Sequence, residues 1–213
     1  MNNLLTSLSE SEIISRILAG EKALFEVLIR RYNDPLYKIA RSYGYGHDES
    51  MDLLQESHIS AYEGLGGFEG RSSYKTWIAK IMVRKCLYRF RYGAGRYEQR
   101  ASVDENSKPL FAMKEDQTER RMLNRELAHV LEKSLEQLPV HYRTVFIMRE
   151  VEGFSVAETA ELLNLTPVNV KVRLSRARLL LQKEVEKFYS RSQLYDFNLI
   201  YCDRIVNYVF SKI

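Results

Sequence analysis

Cysteine, proline and tryptophan are scarce: the 213 residues hold two, four and one of them. The two cysteines, Cys86 and Cys202, form no CxxC pair and have no ligand cluster beside them. That excludes a disulfide framework and a zinc site, and both are expected to be ordinary buried thiols. The histidines, His47, His58, His129 and His141, gather with no carboxylates or cysteines, so we expect no metal, no cofactor and no acid–base catalysis. There is no P-loop and no GxGxxG for a nucleotide. Nowhere does an apolar run reach the roughly 18 residues of a membrane helix. The start, MNNLLTSLSESEII, lacks a basic segment leading into an apolar one. A cytoplasmic protein with no membrane insertion is expected. Alternating apolar and polar runs are missing too, which points away from strands and toward an all-α protein.

What is present is charge, and it is segregated. The overall balance is only +4. Yet Arg71, Lys75, Lys80, Arg84, Lys85, Arg89, Arg91, Arg96 and Arg100 follow one another with Glu98 as the only acid among them. Lys171, Arg173, Arg176, Arg178 and Lys183 form a second block with no acid at all. Residues 48–63 do the reverse, carrying Asp48, Glu49, Asp52, Glu56 and Glu63 without a lysine or arginine. Such a pattern implies two nucleic-acid faces and one separate acidic face.

Helical signals divide the chain in two. Ser9 with Glu12 three residues on starts a first helix, and Gly20 ends it. Further helices are expected over 21–32, 35–43, 48–63 and 73–92, with the glycine-rich loop 64–73 between the last two. Periodicity then fades through GAGRYEQRASVDENSKPLFAMKEDQT, which reads as a flexible linker. The expected organisation is therefore two helical domains, 1–94 and 119–190, joined by a linker at 95–118. A final amphipathic extension at 191–213 carries Phe197, Tyr201, Ile205 and Val209 at helical spacing.

In the second domain Ser155 and Glu158 form a capping box, and the helix they start ends near Asn164. Thr166 then caps another helix with Pro167 at its first position. Two short helices joined this way make a helix-turn-helix, whose second helix enters the DNA major groove. At 100° per residue Val170, Leu174, Ala177 and Leu181 fall on the stripe facing the core. The outer stripe holds Val168, Val172 and Ser175, with Asn169 and Arg176 beside them and Lys171, Arg173 and Arg178 on the flanks. Valines among cations suit thymine methyls and phosphates; a basic solvated helix with tolerated apolar residues is the plainer alternative.

The same arithmetic over 76–91 puts Ala79, Val83, Cys86 and Phe90 on a core stripe. Trp77, Lys80, Arg84, Tyr88 and Arg91 lie opposite, and rings interleaved with cations suit a platform for unpaired bases. Trp77 also reads as a half-buried core residue. On the acidic helix, Met51, Leu54, His58, Ala61 and Tyr62 read as core. Asp52, Leu53 and Glu56 point away, either as a docking patch with an apolar centre or as a solvated charged face.

DLLQES at 52–57, FEGRSSYKTWIAKIMVRKCLYRFR from Phe68, and LPVHYRTVFIMREVEGFSVAETAELLNLTPVNVKVRLSRAR from Leu138 resemble, in that order, the second and fourth regions of extracytoplasmic-function sigma factors of the sigma-70 family. The resemblance spans roughly residues 10 to 185. It implies a non-enzymatic subunit that binds core RNA polymerase and recognises the -10 and -35 elements of promoter DNA while helping to melt it. It implies that Asp52, Leu53, Gln55 and Glu56 meet the clamp helices of the largest polymerase subunit, with the flap as a further contact and an anti-sigma factor as a possible regulator. The loop with Phe68, Arg71, Ser72 and Ser73 would capture a flipped -10 base, and Trp77, Lys80, Arg84 and Tyr88 the strand it belongs to. Thr166, Asn169, Lys171, Val172, Arg173, Ser175, Arg176 and Arg178 would read the -35 element. Arg84 and Tyr88 are departures, standing where the family most often has Asn and then Asp. His58 replaces a usual aromatic and reads as core. Two other readings stay open at this level: a stand-alone regulator using only the helix-turn-helix, and a nucleic-acid enzyme, for which Glu69 alone beside the basic face is too little.

Overall fold

The computed structural model describes residues 8–92 and 118–188, with the side chains of 118–126 left aside. Residues 95–117 of the expected linker and the extension 191–213, with Cys202, lie outside the described residues. Among those described, every regular element is helical. Helix α1, Glu10–Leu18, is capped by Ser9, whose hydroxyl accepts the Glu12 N–H at 3.3 Å. It stops where Gly20 takes φ +110°, a conformation that favours glycine. A single tight turn, Lys22–Leu24, leads into α2, Phe25–Ser42. The two helices expected over 21–32 and 35–43 are thus one, with Pro35 inside it. A proline there forfeits a backbone bond at a cost of about 3 kcal/mol. The buried stripe Leu28, Tyr32, Leu36 and Ile39 runs past it on both sides and offsets that cost.

Helix α3, His47–Gly64, begins with Asp48 and Glu49 in its first turn, where the helix dipole favours acids. The loop then rises into α4, Tyr74–Tyr92, whose Thr76 N–H donates to the Ser73 hydroxyl at 3.1 Å. Helices α2, α3 and α4 pack against one another around Leu28, Ile39, Leu53, Ile78 and Met82. Tyr45 closes this core by donating its buried hydroxyl to the Cys86 carbonyl at 2.7 Å. The Cys86 thiol is buried as expected, and burial raises its pKa.

The second half comprises α5 (Thr118–Glu136), α6 (Val140–Phe146), α7 (Val156–Leu163) and α8 (Pro167–Val185). Between α6 and α7 the chain makes one π-helical turn, Ile147–Val151, closed by Glu152 N–H to the Ile147 carbonyl at 2.9 Å. Gly153, at φ +70°, then swings Phe154 inward. Leu135, Leu138, Ile147 and Ala177 form one small core here, and Val145, Ala160, Val170 and Leu174 another.

The two halves do not stand apart. Met148, Phe154 and Leu162 belong to the apolar cluster of α2, α3 and α4. Around them Arg143 Nε donates to the Ser42 carbonyl at 2.8 Å, and Arg41 reaches Glu132 at 3.4 Å and Glu136 at 3.3 Å, largely out of water. Lys38 meets Glu152 at 3.3 Å. Burial holds the Glu136 carboxyl above the ordinary carboxylate range and depresses Arg143.

His58 is core, as the sequence predicts, but with a consequence for stability. It is 6% exposed, edge-on to Phe25, and its Nε2 lies 2.9 Å from the Asn33 side-chain oxygen. Burial disfavours the imidazolium and pushes the pKa down to about 4. The unfolded chain takes up this proton near pH 6.5 and the folded one near 4, so stability is complete above 6.5 and falls as pH drops from 6.5 toward 4. The loss should reach about 2–3 kcal/mol. Thermal unfolding from pH 7 to 4.5 should show the midpoint falling, and His58→Gln should flatten that part of the slope; an unchanged slope would refute the assignment.

Candidate nucleic-acid interface

Helices α7 and α8 make the helix-turn-helix that the caps predict. The Ser155 hydroxyl accepts from Glu158 N–H at 3.1 Å while Glu158 accepts from Ser155 N–H at 2.8 Å. Asn164 ends α7 in the left-handed region at φ 52°. Thr166 caps α8 through the Asn169 N–H at 3.2 Å. Because Val170, Leu174 and Ala177 are buried against α6 and α7, with Leu181 half-buried below them, the outer face is fixed. It exposes Val168 by 67% and Val172 by 43%. Thr166, Asn169, Lys171, Ser175, Arg176 and Arg178 are exposed around these valines, and Arg173 is half-exposed. Two cations are already oriented: Arg176 donates to the Tyr142 hydroxyl at 3.4 Å and Arg178 to Glu150 at 2.9 Å. Every residue expected on the outer face of α8 is thus exposed or half-exposed.

On α4 the result is more divided. Ala79, Val83 and Cys86 are buried as expected, but Phe90 is 40% exposed, because the helix has outrun the core by its last turn. Arg84, Tyr88 and Arg91 stand in solvent. Tyr92 joins them at 78% exposure, its ring 4.6 Å from that of Tyr88, itself 65% exposed. Tyr92 escaped the sequence reading because it follows the stretch tested for periodicity; its spacing of four from Tyr88 was the available signal.

Trp77 is half-buried, with ring centroids 5.2 Å from Phe68 and 5.5 Å from Tyr74. It braces the loop, so Phe68 too is drawn inward, while Arg71, Ser72 and Ser73 stay exposed and Arg71 pairs with Glu69. Lys80 does not point freely to solvent: it bridges to Glu161 at 2.6 Å.

The acidic helix requires a correction. Leu53 is 0% exposed, so it cannot be the apolar centre of a docking patch. Helix α3 is gripped by α2 on one side and α4 on the other, which buries a wider arc, Ser50, Leu53, Leu54, Ser57, His58 and Ala61, than one stripe suggests. Met51 and Tyr62, expected inside, are at the surface instead. Asp52, Gln55 and Glu56 remain exposed. Glu56 pairs with Arg89 and lies 3.7 Å from Lys85. Ile59 is the exposed apolar residue one turn on.

Among the described residues, no cluster of His, Cys, Asp or Glu is arranged to hold a metal, and no helix is long and apolar enough to cross a membrane. What the surface offers is a cationic, valine-bearing helix, a tyrosine-bearing basic helix and an acidic helix beside it. That combination can bind duplex and unpaired nucleic acid together with a protein.

Comparison with known proteins agrees. The family models for sigma-70 region 2 and sigma-70 region 4 match residues 28–96 and 128–181, together more than half of the chain. The RNA polymerase sigma-H factor of Pseudomonas aeruginosa is 27% identical over 188 residues, covering 86% of this chain and 97% of its own. The ECF RNA polymerase sigma-E factor of Escherichia coli is 29% identical over 189 residues, 86% of this chain and 98% of its own. Among solved structures, the sigma factor RpoE from Bartonella quintana, bound to the anti-sigma factor NepR, has a TM-score of 0.59 at 22% identity, with 78% of this chain and 98% of that one aligned. CnrH, in complex with the cytosolic domain of CnrY, has a TM-score of 0.56 at 20% identity, with 82% and 96% aligned. These two structures share the fold.

Proposed function

Because this chain belongs to the sigma-70 family, as an extracytoplasmic-function sigma factor, we propose a division of labour among its three exposed faces. The chain directs promoter-specific initiation of transcription by RNA polymerase. Our reading is that residues 1–94 dock on the polymerase and open the -10 element, residues 119–190 read the -35 element, and the segment between them spans the distance. The observation that carries it is the outer face of α8, where exposed Val168 and Val172 sit among Lys171, Arg173, Arg176 and Arg178.

In this reading Val172 and Ser175 touch base edges while Thr166, Asn169 and the cations fix the helix on phosphates. Arg84, Tyr88 and Lys80 engage the displaced -10 strand, and the loop with Phe68, Arg71, Ser72 and Ser73 takes a flipped base, with Trp77 holding that loop in shape. Each base captured by stacking contributes about 1–3 kcal/mol. Strand opening then draws on binding energy alone, without nucleotide hydrolysis and without an enzymatic role for the chain. Asp52, Gln55 and Glu56 dock on the clamp helices of the largest polymerase subunit, the flap contacts the C-terminal half, and Leu53 supports the acidic helix from within. The Bartonella relative is held by an anti-sigma factor; a protein of that kind is proposed to restrain this chain too.

The test is a pull-down with core polymerase. The wild-type chain should be retained, and Asp52→Arg combined with Gln55→Ala should weaken retention by about tenfold or more, since a reversed charge on a rim-exposed contact opposes complementarity. Both side chains are exposed, so the fold should be unaffected. Retention equal to wild type would remove the acidic helix from the interface, and failure of the wild-type chain to bind core polymerase would overturn the function.

A further inference from the structure

Helices α6 and α8 pack against each other, and the first turn of α6 borders the outer face of α8. Tyr142 is half-buried there, its ring against the small core of Leu135, Leu138, Ile147 and Ala177. Its hydroxyl accepts from Arg176 at 3.4 Å, which ties an otherwise exposed guanidinium to a ring that the core holds in place. The exposed His141 ring lies across Tyr142, with centroids 4.1 Å apart. Partial burial, and then the charge of Arg173 on α8, hold the His141 pKa below the ordinary histidine value. The other charges around α6 are committed elsewhere: Arg143 donates to the Ser42 and Glu136 carbonyls, Arg41 on α2 reaches Glu132 and Glu136, and Glu150 pairs with Arg178. The charge bearing on His141 is therefore positive.

We propose that His141 and Tyr142 extend the DNA face of α8 into a proton-dependent clamp for a backbone phosphate: the Tyr142 hydroxyl positions Arg176, and His141, once protonated, joins Arg173 and Arg176 on the anion. The inference rests on the -35 reading of α8 proposed above. It gives α6 a share in binding that the cation block of α8 does not account for, and it gives the chain a -35 affinity that rises as the solution becomes more acidic. The sign follows from the neighbours. Without DNA, a proton on His141 adds a positive charge next to Arg173, so the neutral ring is favoured at neutral pH. A phosphate set among these groups reverses that preference, because the imidazolium donates to it from both ring nitrogens' N–H groups while the anion offsets the repulsion between cations. Binding therefore takes up a proton, and lower pH strengthens it. Tyr142 acts differently: it makes no charge of its own, and its hydroxyl reduces the rotamer freedom that Arg176 would otherwise lose on meeting DNA.

Fluorescence anisotropy of the full chain on a short labelled duplex of arbitrary sequence tests this, since a phosphate contact carries no sequence information. Between about pH 8 and about pH 6 the wild-type affinity should rise about fivefold, and its dependence on salt should steepen by about one counterion. His141→Gln should remove most of both changes. Tyr142→Phe keeps the ring in its core, so the thermal midpoint should hold while duplex affinity falls about threefold. Combined with Arg176→Ala, the same substitution should cost nothing further, because a positioning hydroxyl acts only through the group it positions. A pH response equal in the wild type and His141→Gln, or losses from Tyr142→Phe and Arg176→Ala that simply add, would overturn the inference and leave the -35 reading of α8 standing. A wild-type chain that binds no duplex at either pH would instead overturn that reading, and the clamp with it.

Discussion

Alanine at both Tyr88 and Tyr92 is expected to lower affinity for the unpaired -10 strand by about 30-fold or more while leaving the thermal midpoint unchanged. The estimate takes about 1 kcal/mol for each lost ring, the lower end of the range for base–aromatic stacking. Both rings lie in solvent with their centroids 4.6 Å apart, so neither supports the core and their removal leaves no cavity. They follow Arg84 along the helix and flank Arg91, so a strand following those cations passes over both. Phenylalanine at the two positions keeps the π-face and should keep most of the affinity. Permanganate footprinting of open complexes, together with anisotropy on a labelled single strand, separates strand capture from recruitment. If the double alanine variant opens promoters as well as wild type, the lower part of α4 is not the capture surface.

The second large effect belongs to α8. Val172→Asp should reduce binding to -35 duplex by about 30-fold, because it replaces an apolar contact to a base edge, worth about 1–3 kcal/mol in discrimination, with an anion facing phosphates. The fold should tolerate it, since the buried side of the helix is carried by Val170, Leu174 and Ala177. Val172→Thr keeps a methyl group and should be mild. Arg176→Ala is expected to act differently, weakening binding across sequences and flattening the salt dependence by about one counterion. Gel shifts over a salt series distinguish the two. Val172→Asp with undiminished sequence preference, or Arg176→Ala with an unchanged salt slope, would put the outer face of α8 out of contact with DNA.

How much of this was legible in the sequence depends on whether a residue has one partner or two. The helix-turn-helix was readable to the residue because Ser155, Asn164, Thr166 and Pro167 act within one turn of their own backbone. The core stripe of α8 was readable for the same local reason, and so was that of α4 except at Phe90, where the helix outruns the core. Leu53 was misplaced because α3 is held from two sides, and one apolar stripe does not describe a helix that buries two. Pro35 was read as a break because a proline does cost a helix a bond; the apolar stripe on either side, which outweighs it, is tertiary. Glu158 shows the limit most clearly. One carboxylate oxygen caps α7, and that is visible in SVAETAELL; the other accepts from Thr76, which stands 82 residues away. Nothing local distinguishes a glutamate with one duty from a glutamate with two. The joining of the halves was hidden for that reason, whereas the outer face of α8 was not.

The π-helical turn at Ile147–Val151 carries a last consequence. Such a turn holds one residue more than an α-helical turn. Loss of a single codon within it would restore regular helical geometry without breaking the chain's hydrogen bonding. Because the wider turn already absorbs that residue, the helical turns on either side would keep the faces they now present. Met148 and Phe154, now both seated against the N-terminal helices, could then keep their places together if the residue lost were one of their neighbours. The grip between the halves is therefore tolerant of losing one residue from this turn, even though Glu150 of the same turn reaches Arg178 beside the outer face of α8.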